Sequence, residues 1–199
     1  HRGTNGTIRE AEIDFEAIKN AKWLYIAPLN GESGQVLDVI SRFAEENNVN
    51  TTINPGSSSL KQGMKYFKNI FKTAEVVVMN KEEASMVTKI EVRPDTKSEK
   101  FSDETIHPDI VKMLDELKGM GAKIVIITDG KNGVYAFDGK KYYRCPEFPA
   151  KVVRRCTFFY VHRSAGIHKL EHRKITYACL CKCGVGCFAF WRAGRIFEV

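Results

Sequence analysis

The sequence predicts an α/β protein with a three-layer, doubly wound and mostly parallel sheet. Two observations in the first 153 residues lead to this fold class. Short apolar runs alternate with segments whose apolar residues recur at helical spacing, and the runs are apolar on both faces, as in parallel strands covered on both sides. At 199 residues, 43% hydrophobic and 28% charged, the chain has the size and composition of a folded domain, which rules out a largely disordered one.

The first predicted elements are three strands with two helices between them. The strands are short apolar or β-branched runs, and a proline ends each of the first two. Helical spacing of apolar residues indicates the first helix, and three serines offer N-caps for the second. The strands are residues 22–27, 50–54 and 75–79, and the helices are residues 35–47 and 57–71.

The next elements are two helices, a strand and a hairpin. A short helix follows the third strand directly, and a polar loop without periodicity comes after it. The next helix begins at His107 and Pro108 and ends at Gly119 or Gly121. A fourth apolar strand comes next, and the turn at Asp138 splits the last two strands. In order, these elements are the helix 81–89, the loop 93–103, the helix from 107, the strand 123–128, and the hairpin strands 134–137 and 141–144.

The net charge of +7 lies entirely in the tail, residues 154–199. This tail contains nine Lys and Arg against two Glu, five of the six cysteines and three of the five histidines, whereas the first 153 residues contain 22 charges of each sign. The basic pI therefore does not indicate a nucleic-acid surface, and we expect no specific nucleic-acid partner. We predict a domain over residues 1–153 and a basic, Cys/His-rich, poorly ordered tail with no assignable element over residues 154–199.

The sequence also carries no signal of a membrane or secreted protein. No apolar run approaches the roughly 18 residues that a bilayer span requires. The first residues lack the basic and apolar regions of a signal peptide. We therefore expect no membrane partner and a cytoplasmic location, where a disulfide framework is disfavoured.

Asn80 and Glu83 follow the third predicted strand and open the next helix. Parallel sheets bind ligands at the carboxyl ends of their strands. A carboxylate and a carboxamide at that edge could hold a hydrated Mg²⁺ and its phosphate oxygens. The same spacing is also typical of a capping box, which is the simpler interpretation of the two residues in isolation.

Two further turns end strands at the same predicted edge. Thr128, Gly130 and Gly133 follow the fourth strand, and glycines three residues apart let backbone approach a ligand closely, although a turn into a hairpin also favours glycine. Asn54 ends the second strand ahead of a Pro-Gly turn. A turn with a helix cap is the simpler interpretation of that segment.

Taken in order, these motifs give the chain a family resemblance. It resembles the PfkB, or ribokinase-like, family of sugar and nucleoside kinases over about the first 153 residues. The Asn-x-x-Glu of Asn80 and Glu83 is the strongest match. The other matching segments are Arg-Gly-Thr-Asn at 2–5, Asn-Pro-Gly at 54–56, Thr-x-Gly-x-x-Gly at 128–133, and the aromatic hairpin that leads to Pro-Ala-Lys-Val-Val at 149–153.

The resemblance implies transfer of the ATP γ-phosphoryl group to a hydroxymethyl oxygen of a sugar or nucleoside. It implies that Asn80 and Glu83 organise Mg²⁺ and phosphate. It implies further that Asn54, Thr128, Gly130 and Gly133 belong to the ATP site. The family fold would be incomplete at both ends, and the resemblance implies a homodimer as a partner state of the intact protein.

The main departure from the family follows Val153. The family continues there with Asp-Thr-x-Gly-Ala-Gly-Asp, whose glycine-rich turn is an anion hole and whose last Asp is the catalytic base. This chain continues with Arg154, Arg155, Cys156 and Thr157. We therefore assign no catalytic residue and expect the chain as written to be inactive.

A shifted reading frame explains the composition of the tail. Back-translated with one synonymous codon choice and read one base out of phase, residues 189–197 encode His-Phe-Gly-Ala-Gln-Glu-Gly-Phe, which is similar to the C-terminal segment of PfkB kinases. By the same shift, residues 170–176 permit Trp-Asn-Ile-Glu-Lys-Leu, and Arg154 with Arg155 permits Gly-Asp-Ala. The three matches fall in the order of the family.

The alternative is a non-catalytic nucleotide- or zinc-binding protein with a Cys/His-rich basic tail. Four cysteines and three histidines of the tail could supply zinc ligands. Their spacing lacks the paired Cys-x-x-Cys of common zinc folds, which disfavours this alternative. The residues concerned are Cys179, Cys181, Cys183, Cys187, His162, His168 and His172.

Overall fold

A computed structural model describes residues 6–29, 31–61, 63–64, 67–93 and 105–145, together with three short strands nearer the C-terminus. The chain forms two units, one of residues 1–147 with 197–199 and one of residues 148–196. The predicted loop at 93–103 lies outside the described residues except for its first residue. None of the helices in the described part of the chain has the length and apolar character that crossing a bilayer requires.

The first unit is built on a seven-stranded mixed sheet. The strands of the chain are β1 Trp23–Ile26, β2 Asn50–Ile53, β3 Val76–Asn80, β4 Ile124–Thr128, β5 Val134–Phe137, β6 Tyr142–Cys145, β7 Phe159–His162, β8 Thr176–Cys179 and β9 Phe197–Glu198. The order in the sheet is β1-β2-β3-β4-β5-β6-β9, so strands that are neighbours in the sheet also follow one another along the chain within this unit. The first four strands are parallel, and each of the last three is antiparallel to the strand before it in the sheet.

The second unit contains the antiparallel pair β7 and β8. This pair falls in the part of the tail for which the sequence predicts no element.

The six strands predicted from the sequence are confirmed within one or two residues at each end.

The helices connect the parallel strands in turn. The predicted helices at 35–47, 81–89 and from 107 are confirmed. A short helix that the sequence pattern did not indicate is held by Asp14, which caps it, and by the ring of Phe15, which lies 4.8 Å from that of Phe43. The helices are α1 Phe15–Lys19, α2 Val36–Glu46, α3 Ser57–Leu60, α4 Lys68–Thr73, α5 Lys81–Thr88 and α6 Pro108–Gly119.

The single helix predicted over 57–71 is wrong. Two short helices, α3 and α4, occupy this stretch, and Gly63 lies between them with a φ of +113° that a continuous helix does not allow. The serines do not cap α3, because the N-cap position belongs to Gly56. The hydroxyl of Ser59 donates instead to the carbonyl of Leu29, and that of Ser57 donates to Glu83.

The core lies between the helices and one face of the sheet. Side chains of α2, α4, α5 and α6 pack together with alternate residues of the strands, such as Val77 and Ile127. The intervening strand residues, including Val76, Val78 and Ile126, point to the opposite face and are also buried. The sheet is therefore covered on both faces, and the predicted α/β fold class is confirmed.

Candidate functional site

The parallel register of the sheet brings the candidate residues to one edge. In β3 and β4, Asn80 lies opposite Thr128, and in β2 and β3, Ile53 lies opposite Val77. The turn that begins at Asn54, the start of α5, and the loop after β4 are therefore neighbours at the carboxyl ends of these strands. This edge, composed of residues 54–57, 80, 81, 83 and 128–133, is called the nucleotide edge below, after the ligand that the family resemblance implies for it.

Asn80 and Glu83 form a reciprocal capping box at the start of α5. The Glu83 N–H donates to Asn80 Oδ1 at 2.7 Å, and the Asn80 N–H donates to Glu83 Oε2 at 3.0 Å. The capping box, which is the simpler interpretation of this motif, is therefore present. Glu83 is nevertheless only 5% exposed, which is unusual for a carboxylate whose task is to begin a helix.

The second oxygen of Glu83 is held by the first residue of α3. Ser57 Oγ donates to Glu83 Oε1 at 2.9 Å, across 26 residues of sequence. The sequence pattern places Ser57 in a helix cap and does not reveal this contact, since no spacing rule relates residues so far apart. The bond fixes the Glu83 carboxylate against the turn that follows β2.

Asn54 participates in the same cluster through the end of β1. Its side chain hydrogen-bonds Tyr25, the last but one residue of that strand. Burial raises the pKa of Tyr25, the bond to Asn54 opposes that shift, and the charge of Glu83 adds to it.

The turn after β2 requires glycine at position 56. Gly56 has a φ of +71°, and a Cβ there would lie 2.6 Å from the Cβ of Pro28. Any other residue would be strained and would displace the loop after β1. Gly56 thus keeps the turns after β1 and β2 together and places Ser57 next to Glu83.

The loop after β4 is a single 3₁₀ turn, Gly130–Asn132. Gly130 has a φ of +49° and Gly133 a φ of +94°, so both adopt backbone conformations that favour glycine. The Asp129 N–H donates to the carbonyl of Gly133 at 2.9 Å and closes the loop. A Cβ placed on Gly130 would meet no atom within 4 Å, so this glycine faces open space.

The donor set at the nucleotide edge suits a hydrated magnesium ion that arrives with phosphate. Mg²⁺ usually keeps several waters and binds through one or two carboxylates together with substrate phosphates. Glu83 supplies one carboxylate, and each of its oxygens retains a lone pair beyond the bond described above. Among the described residues, no group of three or more acidic, histidine or cysteine side chains is arranged to hold a metal ion.

Three motifs of the sequence fall outside the residues whose side chains the structure describes. They are the Arg-Gly-Thr-Asn segment at 2–5, the Pro-Ala-Lys-Val-Val segment at 149–153 and the candidate zinc ligands of the tail. The six site residues predicted from the sequence all lie at the nucleotide edge. They are Asn54, Asn80, Glu83, Thr128, Gly130 and Gly133.

Solved structures that share the fold include two ribokinases and a protein described as Sa239. The Arabidopsis thaliana ribokinase, solved with ribose and ATP, has 17% identity and a TM-score of 0.53, with coverage of 73% of this chain and 41% of its own. The Thermotoga maritima ribokinase has 20% identity and a TM-score of 0.52, with coverage of 75% of this chain and 43% of its own. Sa239 has 18% identity and a TM-score of 0.61, with coverage of 78% of this chain and 46% of its own. The chain thus spans less than half the length of these structures.

A family model matches the part of the chain that contains the nucleotide edge. No curated protein matches the sequence at a significant level. The family model for pfkB family carbohydrate kinases matches residues 1–154, which include the whole nucleotide edge and end where the tail begins. The chain therefore belongs to the pfkB family of carbohydrate kinases.

Proposed function

We propose that this chain contains the nucleotide and magnesium half of an ATP-dependent carbohydrate kinase site. The observation that supports this function is the buried Glu83 carboxylate at the carboxyl ends of the parallel strands, bonded to Ser57 and Asn80. When bound, Mg²⁺ would neutralise phosphate charge. Glu83 and Asn80 would hold its water shell, and the loop from Thr128 to Gly133 would place backbone against the nucleotide.

The chain as written would bind nucleotide without transferring a phosphoryl group. Transfer needs donors aimed at the migrating phosphoryl group and a base for the acceptor hydroxyl. The segment at 154–157, Arg-Arg-Cys-Thr, contains neither the glycine-rich turn nor the aspartate of the family. We accordingly assign binding to the first 153 residues and no catalytic step to this sequence.

The acceptor of the whole protein would be a sugar or nucleoside with a free hydroxymethyl group. Family membership supports this class of acceptor. The chain spans less than half of the related structures, and we assign no acceptor-selecting residue to it. A homodimer of the intact protein and a cytoplasmic location complete the proposal.

Replacement of Glu83 tests the proposed function. We expect titration calorimetry to show weak ATP binding that strengthens with Mg²⁺, and we expect Glu83→Ala to abolish the Mg²⁺-dependent part. Glu83→Gln keeps an acceptor for the Asn80 N–H and so separates metal binding from helix capping. We expect it to lose the Mg²⁺ effect as well, because glutamine lacks the negative charge with which the carboxylate attracts this ion.

The neighbouring Glu82 is the matched control. It lies in the same first turn of α5 but is exposed. We expect Glu82→Ala to bind ATP and Mg²⁺ as the unmodified chain does. Unchanged Mg²⁺-dependent binding in both Glu83 variants would refute the role assigned to this residue.

A further inference from the structure

An ion pair joins the two loops of the nucleotide edge. Asn80 and Thr128 are the last register partners of β3 and β4, and the residues that follow them are Lys81 and Asp129. Because the strands are parallel, both chains leave the sheet side by side. Lys81 Nζ lies 2.5 Å from Asp129 Oδ1.

The pair is largely removed from solvent. The Lys81 side chain is 27% exposed, and that of Asp129 is 12% exposed. Asp129 is held at its other oxygen as well, where Asn132 Nδ2 donates at 3.0 Å. The carboxylate is thus fixed within its own loop, while the lysine reaches to it from the start of α5 on a flexible stem.

The location of this pair bears on the proposed function. It lies between the Asn80–Glu83 capping box and the glycine loop, the two segments between which phosphate groups of a nucleotide would lie. A lysine ammonium is a compact cation that binds phosphate as a point charge. Paired with Asp129, it adds no net charge to the nucleotide edge.

We propose that Lys81 is a phosphate-binding residue of the nucleotide edge and that Asp129 is its internal competitor. This inference rests on the proposed function. The ammonium exchanges Asp129 for a phosphate oxygen when ATP binds, and the cost of breaking the ion pair lowers the observed affinity. Asp129 thereby sets the affinity for ATP without contacting the nucleotide.

The two partners are expected to act in opposite directions, which a structural clamp does not predict. We expect Lys81→Met to weaken Mg²⁺–ATP binding about tenfold, the size of one charge-assisted hydrogen bond. We expect Asp129→Asn to strengthen it several-fold and Lys81→Arg to retain most of it. Adenosine, which has no phosphate, should bind equally to all three variants and to the unmodified chain in titration calorimetry.

The ion pair of Lys123 and Glu75 provides a matched control. It joins the residues before β4 and β3, at the opposite end of the same two strands, with 2.7 Å between Nζ and Oε2. We expect Lys123→Met and Glu75→Gln to leave ATP affinity unchanged, and thermal unfolding of every variant to establish that it is folded.

Three results overturn the inference, in two distinguishable ways. If the unmodified chain binds ATP but Asp129→Asn weakens binding as Lys81→Met does, or if neither has an effect, the pair is a clamp and only the role of Lys81 fails. If the unmodified chain does not bind Mg²⁺–ATP at all, the proposed function fails together with it.

Discussion

Glu83 illustrates how far single residues can be interpreted from sequence. Its spacing from Asn80 predicts both a capping box and a magnesium ligand, and the capping box is present. The burial of the carboxylate and its bond to Ser57 depend on how the turn after β2 meets α5, which no local pattern encodes. Sequence therefore identifies the residue but not the contact that holds it.

The bond between Ser57 and Glu83 leads to a prediction about stability. Ser57→Ala leaves a buried carboxylate oxygen without its donor, so we expect the free energy of unfolding to fall by about 1–3 kcal/mol. Urea unfolding measures this change. In a double-mutant cycle with Glu83→Gln the two effects should be non-additive, and additive effects would contradict a direct interaction.

Asp109 leads to a prediction about pH. Arg93 donates to both of its carboxylate oxygens, at 3.0 and 3.3 Å, and these bonds outweigh burial and lower the pKa of Asp109 to about 2. A lowered pKa in the folded state contributes stability that is present above about pH 4 and is lost as pH falls towards 2. Thermal unfolding between about pH 2 and pH 6 should show this loss, and Asp109→Asn and Arg93→Met should each reduce it. A pH dependence unchanged in both variants would exclude the pair as its source.

At the scale of elements, the sequence predicts long periodic segments well and broken ones poorly. α2 and α6 match their predicted bounds because each has an apolar stripe over several turns. The stretch over 57–71 contains helix formers and apolar residues in plausible positions, yet tertiary hydrogen bonds of its serines and the backbone of Gly63 divide it. α1 is too short for any periodicity to indicate it.

The connection from α6 to β4 allows a paired test of glycine. Gly121 has a φ of +117°, and a Cβ there would lie 2.8 Å from the Cα of Lys72 in α4, whereas a Cβ on Gly119 would meet nothing within 4 Å. We expect Gly121→Ala to destabilise the fold by more than about 1 kcal/mol and Gly119→Ala to stabilise it by up to about 1 kcal/mol. Urea unfolding measures both, and equal effects would refute the steric argument.

At the scale of the whole molecule, the sequence predicts the order and type of the strands and the edge at which candidate residues meet. Alternation of apolar runs with amphipathic helices is sufficient for this, because parallel strands place all their carboxyl ends on one side. The sequence did not predict the strands at 159–162, 176–179 and 197–198, which lie where charge and aromatic residues follow no period. The division at residue 153 and the origin of the tail stay predictions.

The nucleotide sequence of the gene tests the hypothesis of a shifted frame. We expect a neighbouring frame to encode Gly-Ala-Gly-Asp after the codon for Val153 and a His-Phe-Gly-Ala-Gln segment near the end. A gene without such a frame would refute the hypothesis. Zinc analysis of the purified chain would then decide the alternative, which requires about one retained zinc per chain that is lost when Cys181 and Cys183 are replaced by serine.

The agreement between strand order and chain order has a consequence for how the protein forms. Each of β2 to β6 pairs with the strand made immediately before it, so no pairing in this run has to wait for a segment synthesised much later. Contacts between segments close in sequence form readily, and domains generally begin to fold as they emerge from the ribosome. The nucleotide edge is complete once residue 133 has been made. An altered sequence from residue 154 onward would therefore be synthesised after every residue of this edge.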